Sequence, residues 1–319
     1  MRNKIKEETQ LKAYPQKNGF IANIKKDRMT YLLILPAILL VLAFGYIPMI
    51  GIILAFNDFD IMTGVFGSPW VGFDNFIKIF SNPEIILSIK NTLIYGFFTT
   101  IIGFPFPVIL ALMFNEVRNK TFKKTVQTIA YLPHFISWMT VINLFYSIFS
   151  TEGTFTQIMM FLTGGNYEKV NILMDSKNFL PMIFFSNLWK TMGWESVIFL
   201  AAIAGIDPSL YEAATLDGCG KMKQIWNITI PSISPTIIIV LVMALGGLVT
   251  SNFEQVFGFQ NVFTQKATDT INTVVYREGI QGGKYSEATA FGLAQGLVTL
   301  ILVLAANFVS KKLTDTSIW

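Results

Sequence analysis

From Tyr31 to Phe56 the chain carries no charged side chain. About 20 apolar residues of helix cross a hydrocarbon layer about 30 Å thick, so this run can span a membrane. The core of a cleaved signal sequence takes only about 7–15 residues. The run exceeds that length, lacks a small-residue cleavage site, and is read as a retained first span. Segments of the same kind recur, and six are expected to cross: 30–56, 91–114, 126–149, 179–205, 236–258 and 288–310. Composition agrees, with 14% charged residues against about a quarter in soluble domains. Lipid offers no water to unpaired backbone groups, which makes helix the expected form. The expectation is an all-α polytopic membrane protein with six transmembrane helices. Pro36, Pro48, Pro105, Pro107 and the pair Gly246–Gly247 fall inside these spans and mark kinks.

Lys and Arg are distributed unevenly between the connections. The N-terminal tail, the loops 115–125 and 206–235 and the C-terminal tail hold 16, whereas the loops 57–90, 150–178 and 259–287 hold 7. Basic residues stay on the cytoplasmic side, so both termini are expected there. The domain plan is a basic tail (1–29), a membrane domain (30–310) containing the cytoplasmic loop 206–235, and a short tail (311–319). The positive charge then reflects topology and contact with anionic membrane lipid, and no nucleic-acid partner is expected. One cysteine, Cys219, excludes an internal disulfide. The outward loops are long, at about thirty residues each. In the first, Trp70 to Phe80 has apolar residues at helical spacing with Asp74 able to cap. Either membrane packing or a landing surface for an external partner accounts for such a helix.

The loop between the fourth and fifth spans is the most informative segment. Asp207-Pro208-Ser209 is a helix-start signal, with Asp207 as cap and Pro208 in the first helical position. Residues Leu210 to Leu216 are helix-forming, and Asp217-Gly218 is a stop. A second helical stretch is expected from Lys221 to about Ile228, after which Pro231 and Pro235 turn the chain back into the membrane. Glu212, Ala213, Ala214, Asp217, Gly218, Trp226, Ile228 and Pro231 stand at the spacing of a known signature. The pattern resembles that of the membrane permeases of binding-protein-dependent ABC importers, with Cys219 for the usual Ala and Ile230 for the usual Leu. The resemblance runs from about residue 30 to the end.

Several expectations follow from this resemblance. It implies the type I ABC importer permease fold. The short helix would dock on an ATP-hydrolysing subunit through Glu212, Ala213, Ala214, Asp217, Gly218 and Pro231. Small Ala213 and Ala214 permit close approach, and Gly218 permits positive φ. The implied partners are a second homologous permease subunit, two ATP-binding subunits and an extracellular solute-binding lipoprotein. No P-loop is present, since Gly282-Gly283-Lys284-Tyr285 lacks the first glycine and the Ser/Thr after Lys. The chain is therefore expected not to be an enzyme and to carry no cofactor, with ATP and Mg on the partner ATPase.

Polar residues inside a membrane are costly and are candidates for function. The fourth span holds Asn187, Trp189, Lys190, Trp194, Glu195 and Ser196; the fifth holds Ser251, Asn252, Glu254 and Gln255. Aromatic rings with amide and carboxylate groups suit a sugar. By similarity to the maltose importer, Gly193, Trp194, Ser196, Asn252 and Gln255 would hold the solute, and Trp189 and Glu254 join them on chemistry. The relatives that import oligosaccharides released from complex polysaccharides are the most similar, which implies an oligosaccharide substrate. Lys190 and Glu195 either pair with other spans or sit near the outer interface. His134, the only histidine, is read as a packing residue, and no metal or hydrolytic site can be assembled from this chain. An ion-coupled secondary sugar transporter is the competing reading, with Lys190, Glu195 and Glu254 as coupling groups. It leaves the 212–235 pattern without a purpose.

Overall fold

A computed structural model describes residues 28–314; both tail ends, 1–27 and 315–319, lie outside the described residues. Among the described residues, 28–53 and 54–314 fall in separate compact units. Among the described residues there is no β-strand, only an isolated bridge between Asn57 and Trp70. Helix α1 spans Arg28–Phe56, α3 Pro83–Glu116, α9 Lys221–Val249, and α11 Tyr285–Thr314. These four are long and apolar enough to cross a membrane. Between them lie α2 (Asp74–Ser81), α4 (Lys120–Phe135), α5 (Trp138–Phe149), α6 (Thr154–Leu162), α7 (Phe179–Ala204), α8 (Pro208–Leu216) and α10 (Phe253–Phe259). Counting each sharply bent pair as one crossing raises the number to six.

The prolines are accommodated by a recurring device. Proline has no N–H and its ring collides with the carbonyl four residues back. A wide turn, with bonds to the fifth residue back, precedes Pro48, Pro105 and Pro231: Leu42–Tyr46, Phe97–Ile102 and Ile225–Thr229. Each absorbs the misfit without ending the helix. At Pro235 the carbonyl left without a donor is that of Pro231, and the Ser234 hydroxyl donates to it at 2.8 Å. The expected turn at Pro231 and Pro235 is thus absent, and α9 continues from Lys221 to Val249 as one helix.

The segment expected as one span over 126–149 differs as well. Helix α4 ends in a tight turn at Leu132–Phe135, and Trp138–Leu162 leaves it at 103°. Pro133 tightens the end of α4, Ile136 is extended, and the Ser137 hydroxyl caps the new helix by accepting from the Thr140 N–H. The predicted helix at Trp70–Phe80 is present as α2, but Asp74 lies within its first turn and makes no cap bond. Its anchor is Asn75, buried and donating to the carbonyls of Ala55 and Asn57 at 3.1 and 2.9 Å.

Helices in lipid gain little from hydrophobic burial against one another, so close backbone approach carries their packing. Two glycines allow it. A Cβ on Gly96 of α3 would stand 2.2 Å from the Leu248 carbonyl oxygen of α9, and one on Gly193 of α7 would stand 2.0 Å from that of Ala130 in α4. Ala111, Phe199, Ile203 and Ile233 close a core among α3, α7 and α9 near α8. Tyr95, Trp138, Ile183, Val256 and Phe259 belong to a second core farther along the bundle.

Candidate functional site: an intramembrane cavity and an exposed helix

A cavity of about 530 Å³ lies among α3, α7, α9 and the start of α10. Its polar wall includes Thr99 of α3, Asn187, Thr191 and Glu195 of α7, and Asn252 and Gln255 beyond α9. Tyr95, Phe104 and Phe184 add ring surface. The three α7 residues are spaced by four, which puts them on one helix face. That spacing is visible in the sequence, and it marks the cavity wall better than the aromatic content of the span does.

The wall opens where α9 stops. Gly246 and Gly247 fall in a tight final turn, Leu245–Val249, after which Thr250 is extended. Asn252 then caps α10, its side-chain oxygen accepting from the Gln255 N–H at 3.0 Å. Backbone carbonyls freed by the break need donors within the protein. Gln295 donates to Val249 and Asn272 to Ser251, at 2.6 and 2.8 Å.

Of the seven residues expected to hold a solute, Asn252 and Gln255 line this cavity. Gln255 is buried, and its amide nitrogen donates to the Ile183 carbonyl and the Ser186 hydroxyl, both at 2.8 Å. Gly193 sits at the crossing with α4, and the Ser196 hydroxyl donates to the Gly193 carbonyl at 2.6 Å. Trp194 stacks on His134, ring centroids 4.9 Å apart and planes at 10°. Trp189 and Glu254 are exposed and off the lining. Trp189, Gly193 and Ser196 point away from the Asn187–Thr191–Glu195 face because each is turned by more than a quarter revolution from it.

Lys190 and Glu195 separate in role. The buried Lys190 ammonium donates to the carbonyl oxygens of Pro133 and His134, at 3.3 and 2.8 Å, and to that of Ile136. It also lies 5.4 Å from the Trp138 ring centroid. A positive group at a helix C-terminus bonds carbonyls left over where the helix ends. Here it joins the Ile136 N–H on the Pro133 carbonyl, 3.2 Å away, and is the side-chain donor to His134 and Ile136. Lys190 therefore holds the corner between α4 and α5. Its partners lie more than fifty residues away in the chain, so no local spacing announces the contact.

The second part of the site is α8. Asp207 caps it, accepting from the Ser209 N–H at 2.9 Å. That backbone bond, followed by one from the Ser209 hydroxyl, holds the Asp207 pKa below the ordinary carboxylate value. At the far end the Cys219 N–H bonds to the Ala214 carbonyl and the Gly218 N–H to that of Thr215, at 2.9 and 3.1 Å. With Gly218 at φ +77°, this is a Schellman ending, whose left-handed residue is normally glycine. The Asp-Gly stop thus has a structural cause. Gln224 of α9 is buried and donates to the Thr215 hydroxyl at 2.9 Å, while the hydroxyls of Tyr211 and Thr229 also meet at 2.9 Å. These bonds fasten α8 to α9. Glu212 and Ala213 remain exposed, and Leu216 (90% exposed), Met222 and Trp226 form an apolar edge that the described residues leave uncovered.

Comparison with known proteins places this arrangement. Residues 103–315 match the family described as binding-protein-dependent transport system inner membrane component. Protein LplB of Bacillus subtilis (strain 168) is 40% identical over 295 residues, 92% of each chain. The polygalacturonan/rhamnogalacturonan transport system permease protein YteP of the same organism is 38% identical over 304 residues, covering 95% of this chain and 94% of that one. A chain in the crystal structure of a bacterial alginate ABC transporter, in complex with alginate pentasaccharide-bound periplasmic protein, superposes with a TM-score of 0.86. It is 38% identical and covers 94% of this chain and 99% of that chain.

Proposed function

Because the chain belongs to the family of binding-protein-dependent transport system inner membrane components, and is a multi-pass permease subunit of an ABC sugar importer, we propose that it carries oligosaccharide fragments of a complex polysaccharide into the cell by alternating access. In this reading the chain pairs with a second homologous permease subunit in the cytoplasmic membrane, with both termini in the cytoplasm. Two ATP-binding subunits lie below and an extracellular solute-binding lipoprotein above. The relative named for polygalacturonan and rhamnogalacturonan, and the structure that holds an alginate pentasaccharide, support an oligosaccharide cargo.

The observation that carries the reading is the joining of two sites by one helix. Helix α9 begins beside the exposed face of α8 and ends at the cavity wall. Closure of the ATPases on ATP and Mg would move α8 through Glu212, Ala213, Ala214, Asp217 and Gly218. Pro231 lies in α9 itself, so that motion would pass directly to the wall that bears Asn252 and Gln255. ATP chemistry belongs to the partners, and the permease contributes the path and the docking face.

The test uses the full importer reconstituted in vesicles. Gly218→Val, or deletion of 212–218, should abolish uptake and the coupling of ATP hydrolysis to it, while the chain still inserts. Normal uptake in either variant would overturn the proposal. The competing reading, an ion-coupled transporter, takes Lys190, Glu195 and Glu254 as coupling groups. The Lys190 ammonium is occupied by three backbone carbonyls, Glu254 is exposed and off the cavity lining, and that reading gives α8 no task.

A further inference from the structure

We propose that Glu195 makes the cavity selective for uncharged sugar rings and excludes uronates. The inference rests on the cavity being the sugar path, and it sets this chain apart from the relative named for polygalacturonan and from the importer of acidic alginate, whose cargoes carry uronates. Glu195 is the one carboxylate on the lining, and no Lys, Arg or His shares that lining. The nearest cation along α7, Lys190, is held by the carbonyls of Pro133, His134 and Ile136 at the α4–α5 corner. No countercharge from this chain's own lining therefore faces Glu195.

Two consequences follow from that isolation. Beyond the bond from the Thr191 hydroxyl, the Glu195 carboxylate keeps lone pairs that accept from neighbouring sugar hydroxyls. Asn187 and Thr191 flank Glu195 on the same face and extend the set, while Phe184 and Tyr95 offer ring surface to the apolar face of a pyranose. A uronate brings a second negative charge to the same place. At a separation of about 6 Å and an effective dielectric constant of about 20, the repulsion corresponds to an affinity loss on the order of a hundred-fold. Any cation that relieved it would have to come from outside this lining.

The experiment measures binding to the complete, nucleotide-free importer complex in detergent, without the solute-binding protein, at neutral pH and fixed ionic strength. The probes are galactotriose, trigalacturonate and the methyl ester of trigalacturonate, which has the same skeleton without charge. The wild type should hold galactotriose at least about ten-fold more tightly than trigalacturonate, with the ester within about three-fold of galactotriose. Glu195→Gln should bring all three within about three-fold, and Glu168→Gln, which removes an equal charge from an exposed loop, should leave the preference intact. Equal or tighter binding of trigalacturonate by the wild type overturns the inference. So does an ester that binds as poorly as the acid, a result that needs no variant to fold. A preference that survives Glu195→Gln has the same meaning. If the wild type binds none of the three, the saccharide reading of the cavity itself fails.

Discussion

The ammonium of Lys190 lies 2.8 Å from the carbonyl oxygen of His134, and this contact ties the middle of α7 to the corner where α4 gives way to α5. Charged hydrogen bonds of this kind contribute about 1.5–3 kcal/mol each, without simple additivity. Lys190→Met should remove the side-chain donor from the carbonyls of His134 and Ile136, leaving Pro133 only the Ile136 N–H, and destabilise the chain by about 2–4 kcal/mol. The readout is the midpoint of thermal unfolding in detergent, with Lys190→Arg recovering part of the loss. An unchanged midpoint in Lys190→Met would remove the capping role.

Gly193 sets a steric condition. The added methyl of Gly193→Ala would meet the Ala130 carbonyl oxygen at 2.0 Å, so α4 and α7 must separate. A loss of about 1–3 kcal/mol is expected, visible as a reduced folded yield with or without sugar. If Gly193 served only the solute, the yield would be normal and only binding would suffer.

Gly218 sets a conformational one. Its φ of +77° costs an ordinary L-residue about 1–2 kcal/mol, whereas Asn tolerates the left-handed region. Sugar-stimulated ATP hydrolysis by the reconstituted importer should survive Gly218→Asn in large part and be lost in Gly218→Val. The reverse order, or equal activity, would contradict a Schellman ending as the reason for glycine here.

Asp207 links α8 to pH. Its pKa is depressed because the Ser209 N–H and hydroxyl favour the ionised form. A depressed value means that the stabilisation is complete above the unfolded pKa of about 3.9 and is lost as pH falls through the folded value. Hydrogen-exchange protection of the Ser209 amide, corrected for intrinsic rates, should hold from about pH 5 to about pH 8 and drop below about pH 4. Asp207→Asn should keep protection in acid, since Asn caps without a charge. A drop between about pH 5 and about pH 7 would assign the titration to another group.

The sequence revealed features whose cause is local. The uncharged run from Tyr31 to Phe56 answers to membrane thickness. The cap at Asp207 and the stop at Gly218 depend on residues two to five positions away. It concealed features whose cause is distant or compensated. Pro231 and Pro235 read as breakers, yet a wide turn and the Ser234 hydroxyl offset the lost bonds. The corner at Ile136 was hidden because its stabilising donor, Lys190, comes from another helix. Trp194 drew attention as a sugar platform, but His134 occupies one of its faces. Glu195, by contrast, reached the cavity through nothing more than its four-residue spacing from Thr191.

The unbroken passage of α9 through two prolines has a mechanical consequence. A helix of 29 residues is about 44 Å long. If one end is held, a tilt of about 10° sweeps the other through about 7–8 Å. A joint at Pro231 would have dissipated such a tilt within the first turns. A continuous helix instead carries it to Gly247 at the cavity wall, over a distance greater than the radius of most sugars.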